Sequence, residues 1–226
     1  MDNDRSVSRR PAGREPVPEG LPAELSPQER REARMRLVAG RRLVGVTIVL
    51  DGIHDPHNIS AVLRSCDAFG VQHAHIIGSP SALPINRAIT QGCEKWLTLH
   101  YHRDAEACAA SLAADGFALW AAAPDRRARP LDSLDFSQKL ALAFGAERSG
   151  LSDQLLKHCA GVYFIPMSGF SQSLNVSVAA AISLYVATRR RRAAVGAATD
   201  LDPEEVEALA REWILADRAR KAGDAN

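Results

Sequence analysis

An α/β fold, with a mostly parallel sheet and helices on both of its faces, is what this sequence predicts, and three observations carry the expectation. Apolar runs of five to seven residues, such as VTIVL at 46–50 and LALAFG at 140–145, are continuous and do not alternate with polar residues, as in strands covered on both sides. Stretches with helical spacing lie between them and serve as the crossovers that parallel neighbours require. A chain of 226 residues, 46% hydrophobic and 24% charged, supplies one sizeable core.

Residues 1–25 carry Pro11, Pro16, Pro18 and Pro22 among charges without apolar periodicity, and are expected to form a flexible arm. Ser26, Pro27 and Glu29 make a capping-box pattern that opens a helix running to about Gly40, so 26–42 is expected to be a basic N-terminal helix. A strand at 46–50 follows, then a helix over 58–69, a strand at 73–78, a short helix near 86–91 and a strand at 97–101. The alternation continues through a helix over 104–115, strands at 117–123 and 140–145, a short helix near 152–158, a strand at 162–166 and a long helix over 174–191. These elements are expected to form one domain over 43–192. A linker and a last helix over 203–220 occupy 193–226. Val206, Leu209, Trp213 and Ile214 sit at helical spacing there, so this helix docks on the domain or on a partner subunit.

The composition excludes several classes. No segment approaches the about eighteen uncharged apolar residues of a membrane span, and the N-terminus lacks a signal-peptide apolar core, so a cytoplasmic location is expected. Cys66, Cys93, Cys108 and Cys159 are far apart with no CxxC pair, which fits reduced thiols and neither a disulfide framework nor a zinc ribbon. The net charge is only +1, yet residues 30–42 hold six Arg against one Glu and Arg189 to Arg192 are uninterrupted. Such clusters suit phosphate contacts, with solvated helix faces as the alternative.

In parallel sheets ligands bind beyond the carboxyl ends of strands. Three polar loops are expected there: DGIHDPHN after the first strand, GAERSG after LALAF, and PMSGFSQS after VYFI. Neither GxGxxG nor GxxxxGK[ST] is present, so the two commonest α/β cofactor readings lose their support. What stands in these loops instead is Asn58, Arg64 two turns later, Glu147, and the Ser173/Asn175 pair at the start of the long helix, where unpaired N–H groups attract electron-rich ligands.

DPHNISAVLRSCDAFG, FGAERSGLS and IPMSGFSQSLNVSVAAA, in that order, resemble the three signature motifs of the SpoU/TrmH group of SPOUT RNA 2′-O-methyltransferases. The likeness covers about residues 44–192. It implies a C-terminal trefoil knot in the α/β fold, one of the rare exceptions to unknotted chains. It further implies S-adenosylmethionine bound among the knotted loops and a homodimer whose active site uses both subunits. Carried over by position, the catalytic arginine is Arg64, with Asn58, Glu147, Ser173 and Asn175 completing the polar set. Cofactor contacts fall near Ala122, Gly145, Ile165 and Leu174. The implied substrate is tRNA, most closely its D-loop guanosine. A ribosomal RNA or the tRNA wobble position is the alternative target, and a non-catalytic RNA-binding protein of the same fold the alternative class. Arg30, Arg31, Arg34, Arg41, Arg42 and Arg189, Arg190, Arg191 and Arg192 are the expected RNA contacts.

Methyl transfer to a ribose 2′-hydroxyl requires alignment and a proton acceptor, and no metal. The family proposal makes Arg64 the base. A guanidinium ordinarily ionises above about 12, so a phosphate-binding Arg64 that stabilises the developing alkoxide accounts for the same requirement. His54 and His57 are separated by Pro56 and carry no metal-site pattern. His73 with His75, and His100 with His102, have strand spacing and are expected to be partly buried structural side chains. Cys66 is expected to be core filler.

Overall fold

The computed structural model describes residues 25–80 and 85–223, and seven parallel strands organise it. In chain order the elements are α1 (Pro27–Ala39), β1 (Val46–Asp51), α2 (Pro56–Phe69), β2 (His73–Ile77), α3 (Arg87–Thr90), β3 (Thr98–His102), α4 (Ala105–Ala114) and β4 (Ala118–Ala122). Then come β5 (Arg129–Pro130), β6 (Leu140–Gly145), α5 (Asp153–Leu156), β7 (Gly161–Phe164), α6 (Val176–Val195) and α7 (Pro203–Gly223). The arm expected over 1–25 lies, but for Leu25, outside the described residues.

Strand order is β3-β2-β1-β6-β4-β7-β5. The chain therefore lays β2 and β3 outward on one side of β1, then returns to build the other side. β6 closes the gap by pairing with β1 from Val46↔Leu140 to Asp51↔Gly145 and with β4 from Ala118↔Leu140 to Ala121↔Ala143. Such a reversal opens a crevice at the carboxyl ends of the central strands.

Both faces of the sheet are covered, which is why its strands read as unbroken apolar runs. Ile59, Val62, Leu63 and Cys66 of α2 and Val176, Ala180, Leu184 and Ala187 of α6 pack on Val46, Ile48, Leu50, Leu140, Leu142 and Phe144. On the opposite face Ala105, Cys108 and Leu112 of α4 and Leu155 of α5 pack on Val49, Ala141, Ala143, Leu119 and Ala121. A separate cluster joins Met35 and Ala39 of α1 to Ala210, Trp213 and Ile214 of α7, so the last helix docks on the first within one chain. Ion pairs of Arg31 with Asp217 at 2.7 Å and of Arg218 with Glu32 at 2.7 Å flank that contact.

The capping box at Ser26 and Glu29 is formed. Several boundaries differ from expectation by one to four residues, α6 for instance running on to Val195, and two of them bear on the site. α2 starts two residues earlier, because Asp55 accepts from the His57 amide and Pro56 takes the first helical position. α6 starts after Asn175, whose Oδ1 accepts from the amides of Ser177 and Val178. The left-handed turn that ends α2 needs a glycine twice over: Gly70 has φ +82°, and a Cβ there would lie 2.8 Å from the Arg41 carbonyl oxygen.

Candidate active site

The three motif loops follow β1, β6 and β7, and a chain of side-chain hydrogen bonds joins them. The Asn58 amide donates to Asp55 Oδ2 at 3.2 Å and to Glu147 Oε1, while its Oδ1 accepts from Asn175 Nδ2 at 3.1 Å. Asn58 thus spends both amide hydrogens on carboxylates and is held by residues from three separate segments. Each partner is fixed by the fold. Asp55 caps α2, Asn175 caps α6, and Glu147 sits in a loop closed by reciprocal backbone bonds between Ala146 and Gly150 at 3.1 and 2.8 Å. Asp55 was not among the expected site residues. Its signal was the Asp-Pro at the α2 start, which marks an N-cap and which expectation had moved to Asn58.

Arg64 stands apart from this trio. Six residues beyond Asn58, it projects about 120° around the helix from it. It is exposed and donates to the Ile89 carbonyl at 3.2 Å, while Ser60 Oγ on the same helix accepts from the Asn86 amide at 2.8 Å. Ser173 is exposed in the loop two residues before the α6 cap. Within one chain, then, Asn58, Glu147 and Asn175 are brought together, and Arg64 points elsewhere.

Ala122 ends β4, Gly145 ends β6 and Ile165 follows β7, so these three expected cofactor contacts lie on adjacent strands at one edge, with Ala122 paired to Tyr163. Leu174 lies in the loop that leads into α6. The edge fits a ligand that contacts backbone and apolar surface. Gly145 is pressed so closely by the returning loop that a Cβ would lie 2.1 Å from the Gly150 carbonyl carbon. Phe164, Met167, Phe170 and Leu174 leave a large apolar surface beside it, with Phe170 fully exposed.

The expected RNA contacts divide by burial. Arg42 and Arg191 are corrected: both guanidinia are internal. Arg42 is fully buried, bound to Asp67 Oδ1 at 2.5 Å and stacked 5.1 Å from the Trp213 ring centre. Arg191, 8% exposed, pairs with Asp200 at 2.9 Å and donates to the carbonyls of Phe136, Ser137 and Gln138. Burial of an unpaired charge is prohibitive, so each arginine that enters the fold brings a partner and cannot also grip phosphate. Arg192 bonds the carbonyls of Arg41, Phe69 and Ala198, and Arg31 pairs with Asp217. Arg30, Arg34, Arg189 and Arg190 are exposed.

The SpoU rRNA Methylase family model matches residues 45–185. The tRNA (guanosine(18)-2′-O)-methyltransferase of Thermus thermophilus is 39% identical over 191 residues, covering 83% of this chain and 98% of the relative. Among solved structures, the TrmH/SpoU tRNA modifying enzyme of Aquifex aeolicus superposes with a TM-score of 0.76 at 30% identity, covering 84% of this chain and 98% of that one. The SpoU methyltransferase AviRb of Streptomyces viridochromogenes, solved with AdoMet, gives a TM-score of 0.59 at 25% identity over 68% of this chain and 62% of that one.

Proposed function

The chain belongs to the SpoU rRNA methylase family, and from that premise we propose how its residues divide the work of one reaction. The protein is an S-adenosylmethionine-dependent tRNA 2′-O-methyltransferase acting on the ribose of guanosine 18. The cofactor supplies an activated methyl group. All else falls to this chain.

The observation that carries the assignment of residues is the hydrogen-bonded trio of Asn58, Glu147 and Asn175. It ties the loop that leads to Arg64, the loop after β6 and the loop before α6 into one unit at the carboxyl edge. In this reading Asn58 is a positioning residue, since its amide hydrogens are already committed. The strand ends at Ala122, Gly145 and Ile165, with Leu174, hold the cofactor by backbone and apolar contact. Asn175, as the α6 cap, and Ser173 before it order the loop that leads into α6. Arg64 binds the phosphate next to the target ribose and stabilises negative charge on the 2′-oxygen as its proton passes to water.

Arg64 is turned away from its own Asn58 cluster, and Phe164, Met167, Phe170, Val178 and Tyr185 leave the loop before α6 and the outer face of α6 uncovered. Both features support a homodimer in which Arg64 of one subunit completes the site of the other, with S-adenosylmethionine held in a knotted C-terminal segment. Exposed Arg30, Arg34, Arg189 and Arg190, with Arg41, serve the tRNA backbone. Among the described residues no helix is long and apolar enough to cross a membrane, and we place the protein with its substrate in the cytoplasm.

Arg64→Ala tests the division of labour. Methyl transfer should fall to background while S-adenosylmethionine binds with unchanged affinity in calorimetry. Lost cofactor binding, or retained transfer, would show that Arg64 has been given the wrong role.

A further inference from the structure

Four imidazoles line one face of the β2–β3 edge. In-register pairing sets His75 opposite His100, stacked with ring centres 4.5 Å apart, and the diagonal contacts His73 Nδ1···His100 Nε2 and His75 Nδ1···His102 Nε2 are both 2.9 Å. Helix α4 covers this face and turns Cys108 inward. One ring nitrogen each from His75 and His102 and the Cys108 sulfur all lie within 4.8 Å of one another. None of the three belongs to the methyl-transfer site.

We propose that His75, His102 and Cys108 form a binding site for one zinc ion, which ties the edge strand β3 and its neighbour β2 to α4. Two imidazoles and a thiolate are a donor set that suits zinc and not magnesium or calcium, which take oxygen ligands. The spacing is also close to what is needed. Zinc–nitrogen bonds of about 2.0–2.1 Å and zinc–sulfur bonds of about 2.3 Å put tetrahedral donors roughly 3.3–3.6 Å apart, so small shifts bring all three into range. The donors stand on two strands and a packed helix and not on loops, which favours a preorganised site. His75 is 3% exposed and Cys108 fully buried, while the half-buried His102 at the end of β3 gives the ion its way in. Burial, with Asp51 adding to it, pushes the Cys108 thiol up to about 12, and burial, with His100, keeps His102 neutral, so the metal-free site holds a thiol and two neutral rings and a metal's own charge has to displace the thiol proton.

The exchange balances simply. Without metal the two neutral rings share an N–H···N hydrogen bond. On binding, the ring that donated moves its hydrogen to its other nitrogen, the Cys108 S–H bond breaks, its proton passes to water, and the sulfur binds the metal. A fourth ligand comes from solvent. The ion takes no part in methyl transfer.

The test uses the untagged full-length chain, stripped with chelator and titrated with zinc against a chromophoric competitor. One equivalent should bind, cobalt(II) in its place should give a thiolate charge-transfer band, and zinc should raise the midpoint of thermal unfolding. Cys108→Ser should remove the band and weaken zinc binding by more than about 100-fold, the upper range that even an outer-shell partner commands. His102→Gln, at a half-exposed position, should do the same and carries the test if Cys108→Ser fails to fold. Cys159→Ser should bind as the parent does. No stoichiometric uptake, uptake indifferent to both ligand variants, or uptake of copper(I) alone would overturn the zinc site.

Discussion

Asn58 uses one amide to make three hydrogen bonds to residues from three segments, so its substitution should act on geometry more than on binding. Asn58→Ala should lower kcat about 100-fold, the loss expected from displacing a catalytic group by about an ångström, while the thermal midpoint barely moves. An unchanged kcat would remove Asn58 from the site. The arginine run shows where residue-scale reading stops. Arg189 to Arg192 look equivalent as letters, yet a helix turns successive side chains by about 100°, and Arg191 alone among them is buried, against Asp200. Asp200 also accepts from the amides of Val44 and Gly45. Asp200→Ala should therefore cost about 3–5 kcal/mol in urea unfolding, as breaking a buried pair does, whereas Arg189→Ala should stay within about 0.5 kcal/mol. Equal costs would mean that the burial pattern is wrong. The motif residues were legible because their chemistry is local. Their partners were less so: Asp55 was hidden behind a proline, and the inward turn of Arg42 and Arg191 depends on Asp67 and Asp200, which only the folded chain sets beside them.

At the scale of elements, the strands and crossover helices were legible because burial on both faces leaves unbroken apolar runs. The two-residue β5 and the 3₁₀ turns at Cys93–Trp96 and Leu131–Ser133 left no such trace, being too short for any periodicity. The histidine edge of β2 and β3 was expected to be structural, but its packing into a stacked, hydrogen-bonded array follows from the parallel register alone. That array makes the metal-free fold acid-sensitive. Burial, reinforced by the neighbouring His100, pushes His73 down to about 4 and His75 to about 3 from an ordinary 6.5. Folded values below the unfolded ones mean that the unfolded chain binds more protons. The stability of the neutral rings is thus complete above pH 6.5 and drains as pH falls toward those lower values, at up to about 1.4 kcal/mol per pH unit for each histidine. Urea unfolding in chelator from pH 7 to pH 5 should show this loss, and a His73→Asn chain should show less of it. A flat profile in the parent would contradict the neutral array.

For the whole molecule, seven parallel strands with a reversal at β1 and β6 gather three motif loops at one edge, and α7 folds back on α1 to place the last helix beside the basic first one. The exposed apolar loop before α6 and the outward turn of Arg64 arise only when distant segments are folded together, which is why a sequence shows their letters but not their arrangement. Neutralising Arg189 and Arg190 together should weaken tRNA binding and reduce the slope of log affinity against log salt by up to about 2. An unchanged slope would return them to a solvated face. The most direct measurement is transfer of labelled methyl from S-adenosylmethionine to an unmodified tRNA transcript, with nuclease mapping of the product. A single 2′-O-methylguanosine at position 18, absent with Arg64→Ala, is the predicted result; label at another nucleotide, or none in tRNA, would contradict it.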